Sequence, residues 1–143
     1  MRTIAGEVGG AQATLAQKAA PLFFELYTKN VRGGGTRASY KEEHANVIKV
    51  VAHHEVKLPP DVAGLPQAQY GPDKKWGAWA KAQTDDLRPA FCVALLHLEA
   101  GPESSRWPWI GRNSAGRKAE DIQSYPDWKA AVWFWLALQV ASK

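Results

Sequence analysis

The chain has 143 residues, 45% of them apolar and 22% charged, which is the size and make-up of one folded domain and excludes a disordered or collagen-like polymer. Eighteen Lys and Arg against 14 Asp and Glu leave a net charge of +4, with no basic or acidic tail. A lone cysteine, Cys92, excludes an internal disulfide, and its apolar neighbours Phe91, Val93 and Ala94 predict a buried structural thiol.

The first residues lack the apolar core of a secretory signal. Residues 11–30 carry Leu15, Leu22, Phe23, Leu26 and Tyr27 at helical spacing, and Pro21 predicts a kink there or a split into two short helices. Asn30 and Gly33, Gly34 and Gly35 should end this helix and open a loop. Ser39 and Glu42 have capping-box spacing, so a second helix is expected from Tyr40, with Tyr40, His44, Val47, Ile48, Val51 and Leu58 on its apolar face and Pro59 stopping it. The β-branched Val47, Ile48, Val50 and Val51 make a strand over 46–52 the competing reading.

Residues 59–72 hold four prolines and read as an irregular crossing segment. Asp73 can cap a short helix over 74–83 that carries Trp76 and Trp79 on one side and is weakened by Gly77. Thr84, Asp85 and Asp86 then predict the start of a further helix near Leu87, with Pro89 in its first turn and a broad apolar face through Phe91, Leu95 and Leu98. After Gly101 a loop is expected to about Gly116 and a short turn over 117–123. A last helix is expected over 128–141, apolar nearly all round and led by Ser124 and Asp127. Within it the longest apolar stretch, 130–138, is under half of the about 20 residues that cross a membrane, so a cytoplasmic protein is expected. The elements add up to an all-α, compact single domain over 1–143, of five or six helices with two long basic loops.

Chemistry-bearing motifs are sparse. On a helix His44 and His54 stand about 15 Å apart along the axis, and no metal-ligand spacing links them to His53 or His97, so no metal is expected. No nucleophile elbow surrounds a serine, and Gly33 to Arg37 lacks the Lys and Ser/Thr of a phosphate loop. No cofactor is expected. The segment Ala94, Leu95, Leu96, His97, Leu98, Glu99, Ala100, Gly101 resembles the helix carrying the catalytic glutamate of lysozyme-like lytic transglycosylases. That resemblance implies a hydrolase or lyase working through Glu99 with His97. The alternative for Glu99 is an ion pair with Arg88 or another cation.

Charge distribution carries the leading reading. Residues 26–41 contain Lys29, Arg32, Arg37 and Lys41 without an acid, and residues 104–118 contain Arg106, Arg112, Arg117 and Lys118 beside Trp107 and Trp109. Such loops suit nucleic acid or a nucleoprotein, with Arg32, Arg37, Arg106, Arg112, Arg117 and Lys118 on phosphates and Trp107 or Trp109 stacking on bases. The alternative is a non-enzymatic adaptor or inhibitor of the kind that accompanies mobile elements. It would dock on a partner protein through exposed tryptophan and the outer side of 74–83.

Overall fold

The computed structural model describes residues 10–30, 39–100 and 128–143. Among them run four α-helices, α1 (Gly10–Asn30), α2 (Tyr40–His54), α3 (Lys75–Ala100) and α4 (Trp128–Ala141), with a 3-10 turn at Gln67–Gln69 and no strand. The expected all-α fold is the fold observed, and residues 46–52 are helical.

Helices α1, α3 and α4 each pack on the other two. Their common centre is a triangle of Phe23, Phe91 and Phe134, one from each helix, with ring centroids 5.3 to 5.4 Å apart and planes crossing at 76° to 83°. Edge-to-face packing sets the positive ring edge on the negative face, worth about 0.5 to 1.5 kcal/mol per pair beyond burial. Helix α4 is enclosed because its span is almost wholly apolar, as its sequence predicts. A perpendicular ladder of indoles, Trp76 to Trp79 at 5.8 Å and Trp79 to Trp135 at 5.3 Å, joins the start of α3 to α4.

Two helix boundaries differ from expectation, and at Pro21 the structure decides between the two outcomes expected there. Helix α1 is one element with Pro21 inside it, not two. Pro21 and Gln17 are both exposed, so the Gln17 carbonyl, which a proline nitrogen cannot serve, lies on the solvent side while Ala16, Ala19, Ala20 and Phe23 hold the helix to the core. The two helices expected around Thr84 are also one, α3, with Pro89 within it. There the Thr84 hydroxyl donates back to the Lys81 carbonyl at 2.8 Å instead of capping a new helix. A single buried stripe through Trp76, Ala80, Leu87, Phe91, Ala94 and Leu98 carries the helix past both signals. Helix α2, capped by Ser39 and Glu42 as the spacing predicts, ends at His54 and not at Pro59. Glu55 turns left-handed at φ 53°, and the Val56 N–H closes on the Val51 carbonyl at 2.9 Å, a helix-terminating arrangement reached here without glycine.

The crossing segment ends in Gly71 and Pro72, whose backbone closes on the first turn of α3. A Cβ at Gly77 would meet the Gly71 carbonyl oxygen and stand 2.5 Å from that of Pro72, so the glycine, which propensity alone marks as a weak point, is what lets the segment seat. Helix α3 begins at Lys75, whose N–H faces Gln69 Oε1 at 3.5 Å. Lys81 Nζ donates to the Pro72 carbonyl at 2.8 Å and fastens the same segment one turn further on.

Candidate functional site

Helix α2 lies outside the three-helix centre, against α4 and the 3-10 turn. The expected apolar face of α2 is rotated: Val47 is enclosed, but so is Glu43, while Tyr40 and Ile48 stand 42% and 41% exposed. The reason is Glu43. A carboxylate taken out of water needs compensating donors, and Glu43 finds them on two other elements.

Its Oε1 pairs with Lys129 Nζ at 3.2 Å, from the first turn of α4. Its Oε2 accepts from Trp133 Nε1 at 3.1 Å, also on α4, and from the Tyr70 hydroxyl just after the 3-10 turn. Burial raises the Glu43 carboxyl above the ordinary carboxylate range, against the opposing pull of Tyr70, Lys129 and Trp133. Lys129 is sandwiched further by rings, its Nζ 4.8 Å from the centre of Tyr40 and 5.9 Å from that of Trp128. Tyr40, Tyr70 and Trp128 contact one another edge to face around it at 5.0 to 6.4 Å.

His44, the next residue, packs on Tyr70 and Trp76 at 5.6 and 6.3 Å between ring centres. Its Nε2 and the Trp76 Nε1 have no hydrogen-bond partner among the described residues, and burial lowers the His44 pKa below the usual imidazole value. Two more polar ties hold α2. Asn46 Nδ2 donates to Asn30 Oδ1 at 2.6 Å, while Asn30 itself donates to the Leu26 carbonyl and closes α1. Lys143 Nζ reaches the Glu55 carbonyl at 3.0 Å.

The chemistry of this cluster is anchoring. Both Glu43 oxygens face protein donors and none of the residue meets solvent, so the group fixes α2 rather than offering itself to a substrate. What α2 turns outward is a strip of Lys41, Ala45, Ile48 and Ala52, all exposed, with the exposed Glu55 just past its end.

Every residue singled out in advance for nucleic-acid or partner contact, Arg32, Arg37, Arg106, Trp107, Trp109, Arg112, Arg117 and Lys118, lies outside the described residues. Cys92 and Glu99 fall within α3, but their side chains are not among those described. The five described tryptophans point inward, four of them buried and Trp135 partly so, which leaves exposed-tryptophan docking to Trp107 and Trp109. On the outer side of 74–83, Lys74, Lys75, Ala78, Lys81 and Ala82 face solvent.

No group of three or more His, Cys, Asp or Glu able to hold a metal ion occurs among the described residues, and no helix there is long and apolar enough to cross a membrane. Compared with known proteins, the chain matches no family model, no curated protein and no solved structure.

Glu43 and Lys129 were not singled out by sequence reasoning, although each left a signal. Lys129 is the lone charge in an otherwise apolar helix, which calls for a buried acid. Glu43 stands at helical spacing with Val47 and Val50, inside the face that turned out to be the inner one.

Proposed function

We propose that the protein is a non-enzymatic adaptor or inhibitor that docks on a partner protein through the outer face of α2. The observation that carries this reading is the exposure of Tyr40 and Ile48, the large apolar residues that the described fold leaves to solvent, both on one helix. That helix is fixed from behind by Glu43, Asn46 and the Glu55 carbonyl, so it meets a partner already ordered and little entropy is lost on docking. Exposed apolar side chains on a rigid helix, with Lys41, Lys49 and Glu42 at the rim, follow the pattern of a hydrophobic centre and polar border seen in protein interfaces.

A photo-crosslinking residue placed at Ala45 tests the reading against one at Ala82, an exposed position on α3. A discrete crosslinked species from Ala45 that Ile48→Glu abolishes is the expected result. Equal labelling at the two positions refutes it.

The basic stretches 29–41 and 104–118 favour a second reading, contact with nucleic acid or a nucleoprotein, with Arg32, Arg37, Arg106, Arg112, Arg117 and Lys118 on phosphates and Trp107 or Trp109 stacking. Anisotropy of labelled single- and double-stranded oligonucleotides at two salt concentrations separates the two. Phosphate-led binding weakens steeply as salt rises and is lost in the Arg112, Arg117, Lys118 triple alanine variant, whereas an apolar α2 interface is indifferent to both.

A further inference from the structure

His53 and His54 close α2. Neighbours on a helix leave its axis about 100° apart, so their spacing alone keeps two rings separate. The structure brings these two back together, with ring centres 4.7 Å apart and planes at 88°. His53 is exposed and His54 partly so, and neither makes a hydrogen bond or ion pair among the described residues. The pair therefore offers ring nitrogens to solvent at one place.

The distance between the centres decides what the pair can hold. An imidazole nitrogen binds a first-row metal at about 2.0 to 2.1 Å, and the ring centre lies about 1.2 Å behind that nitrogen. Two centres at 4.7 Å then subtend about 95° at a shared ion. Turning either ring about its Cβ–Cγ bond swings the nitrogens while the centre stays nearly in place. That torsion is broad for histidine, so the two nitrogens can converge without moving the backbone.

An angle close to 90° belongs to adjacent corners of a tetragonal site and falls short of the about 109° of tetrahedral zinc. Tetragonal sites of nitrogen and oxygen suit Cu²⁺ or Ni²⁺, and copper binds tightest in the divalent series. We infer that His53 and His54 chelate one Cu²⁺ ion at the C-terminal end of α2. No third His, Cys, Asp or Glu joins them among the described residues, so water completes the coordination. The site stands apart from the reading of α2 as a docking helix and holds whether or not a partner protein binds there.

The field at this end is mixed. The last carbonyls of α2 give its end a partial negative charge, and the exposed Glu55 follows directly. Against these stand Lys49, one turn before His53, and Lys143, whose Nζ reaches the Glu55 carbonyl at 3.0 Å. The opposing charges leave the imidazole bonds as the main attraction, which favours the metal that forms the strongest of them. The other two histidines are placed differently: His44 packs on Tyr70 and Trp76, and His97 stands on the exposed side of α3.

Titration of the full chain with a copper(II) salt, read by electron paramagnetic resonance, tests the inference. One equivalent should bind with nitrogen coupling from two imidazoles. Because the second imidazole closes intramolecularly, His53→Gln and His54→Gln should each leave a one-imidazole signal and weaken binding at least about tenfold, with helix content unchanged. His97→Gln should alter neither signal nor affinity. A wild-type signal from a single imidazole, or a two-imidazole signal that survives either substitution, overturns the chelate. Zinc bound as tightly as copper overturns the tetragonal assignment.

Discussion

Glu43 Oε1 stands 3.2 Å from Lys129 Nζ, an ion pair between α2 and α4 in which the acid is fully enclosed and the ammonium nearly so. An enclosed pair adds little compared with apolar residues of the same shape, yet breaking it is costly because one charge is left without its partner. Lys129→Met is therefore expected to destabilise the fold by about 3 to 5 kcal/mol. Adding Glu43→Gln, which keeps an acceptor for Tyr70 and Trp133, should recover most of that loss. Urea titrations of the two single variants and the double variant measure it, and strictly additive losses would show that the pair is not coupled.

Glu43 and His44 adjoin in sequence and titrate with opposite effect. Burial raises the Glu43 carboxyl above 4.5, so between that value and its folded pKa the folded state holds the proton more tightly than the unfolded state does. Its contribution is fully present below 4.5 and is lost as pH rises through the folded value. Burial lowers His44 below 6.5, so its contribution is present above 6.5 and is lost as pH falls through the folded value. Stability measured by denaturant across this pH range should lose its acid-side fall in His44→Phe and its fall on the rising side in Glu43→Gln. Identical profiles for wild type and both variants would contradict the assignment.

Gly77→Ala should destabilise, although alanine is the better helix former by about 1 kcal/mol. The new methyl group would run into the carbonyl oxygens of Gly71 and Pro72, which are backbone and yield only if the crossing segment lifts from α3. A net loss of about 1 to 3 kcal/mol is expected from thermal or urea unfolding. A gain in stability would mean that the segment does not rest on Gly77.

Ser39→Ala removes the side-chain oxygen that accepts from the Glu42 N–H at 3.1 Å and should cost about 1 kcal/mol. Because Glu42 Oε1 in turn accepts from the Ser39 N–H, Glu42→Ala is expected to overlap with it rather than add. Amide hydrogen exchange in the first turn of α2 should rise in both variants, and protection there equal to wild type would argue against the cap.

Helix identity and the apolar core were legible in the sequence because each rests on local periodicity. Ser39 and Glu42 announced the start of α2, and the unbroken apolar run after Trp128 announced an enclosed α4. The boundary expected at Thr84 and Pro89 failed because tertiary burial outweighed local signals, both residues sitting on a side of the helix where the core stripe is not interrupted. The rotation of α2 was illegible for a different reason. A residue-by-residue scale places a glutamate outside, and only the meeting of Glu43 with Lys129, Trp133 and Tyr70, all distant in the chain, reverses that. The α2 face was not legible at all, since the charge and aromatic content that drew attention to 29–41 and 104–118 says nothing of which side of a helix ends outside.

The indole ladder of Trp76, Trp79 and Trp135 has an optical consequence. Rings at 5.3 to 5.8 Å and near right angles are held in one fixed mutual geometry, so these three of the seven tryptophans contribute to the near-ultraviolet circular dichroism as a packed group at the seam between α3 and α4. Any loosening of the interior will therefore register in the near-ultraviolet circular dichroism before the helix signal falls.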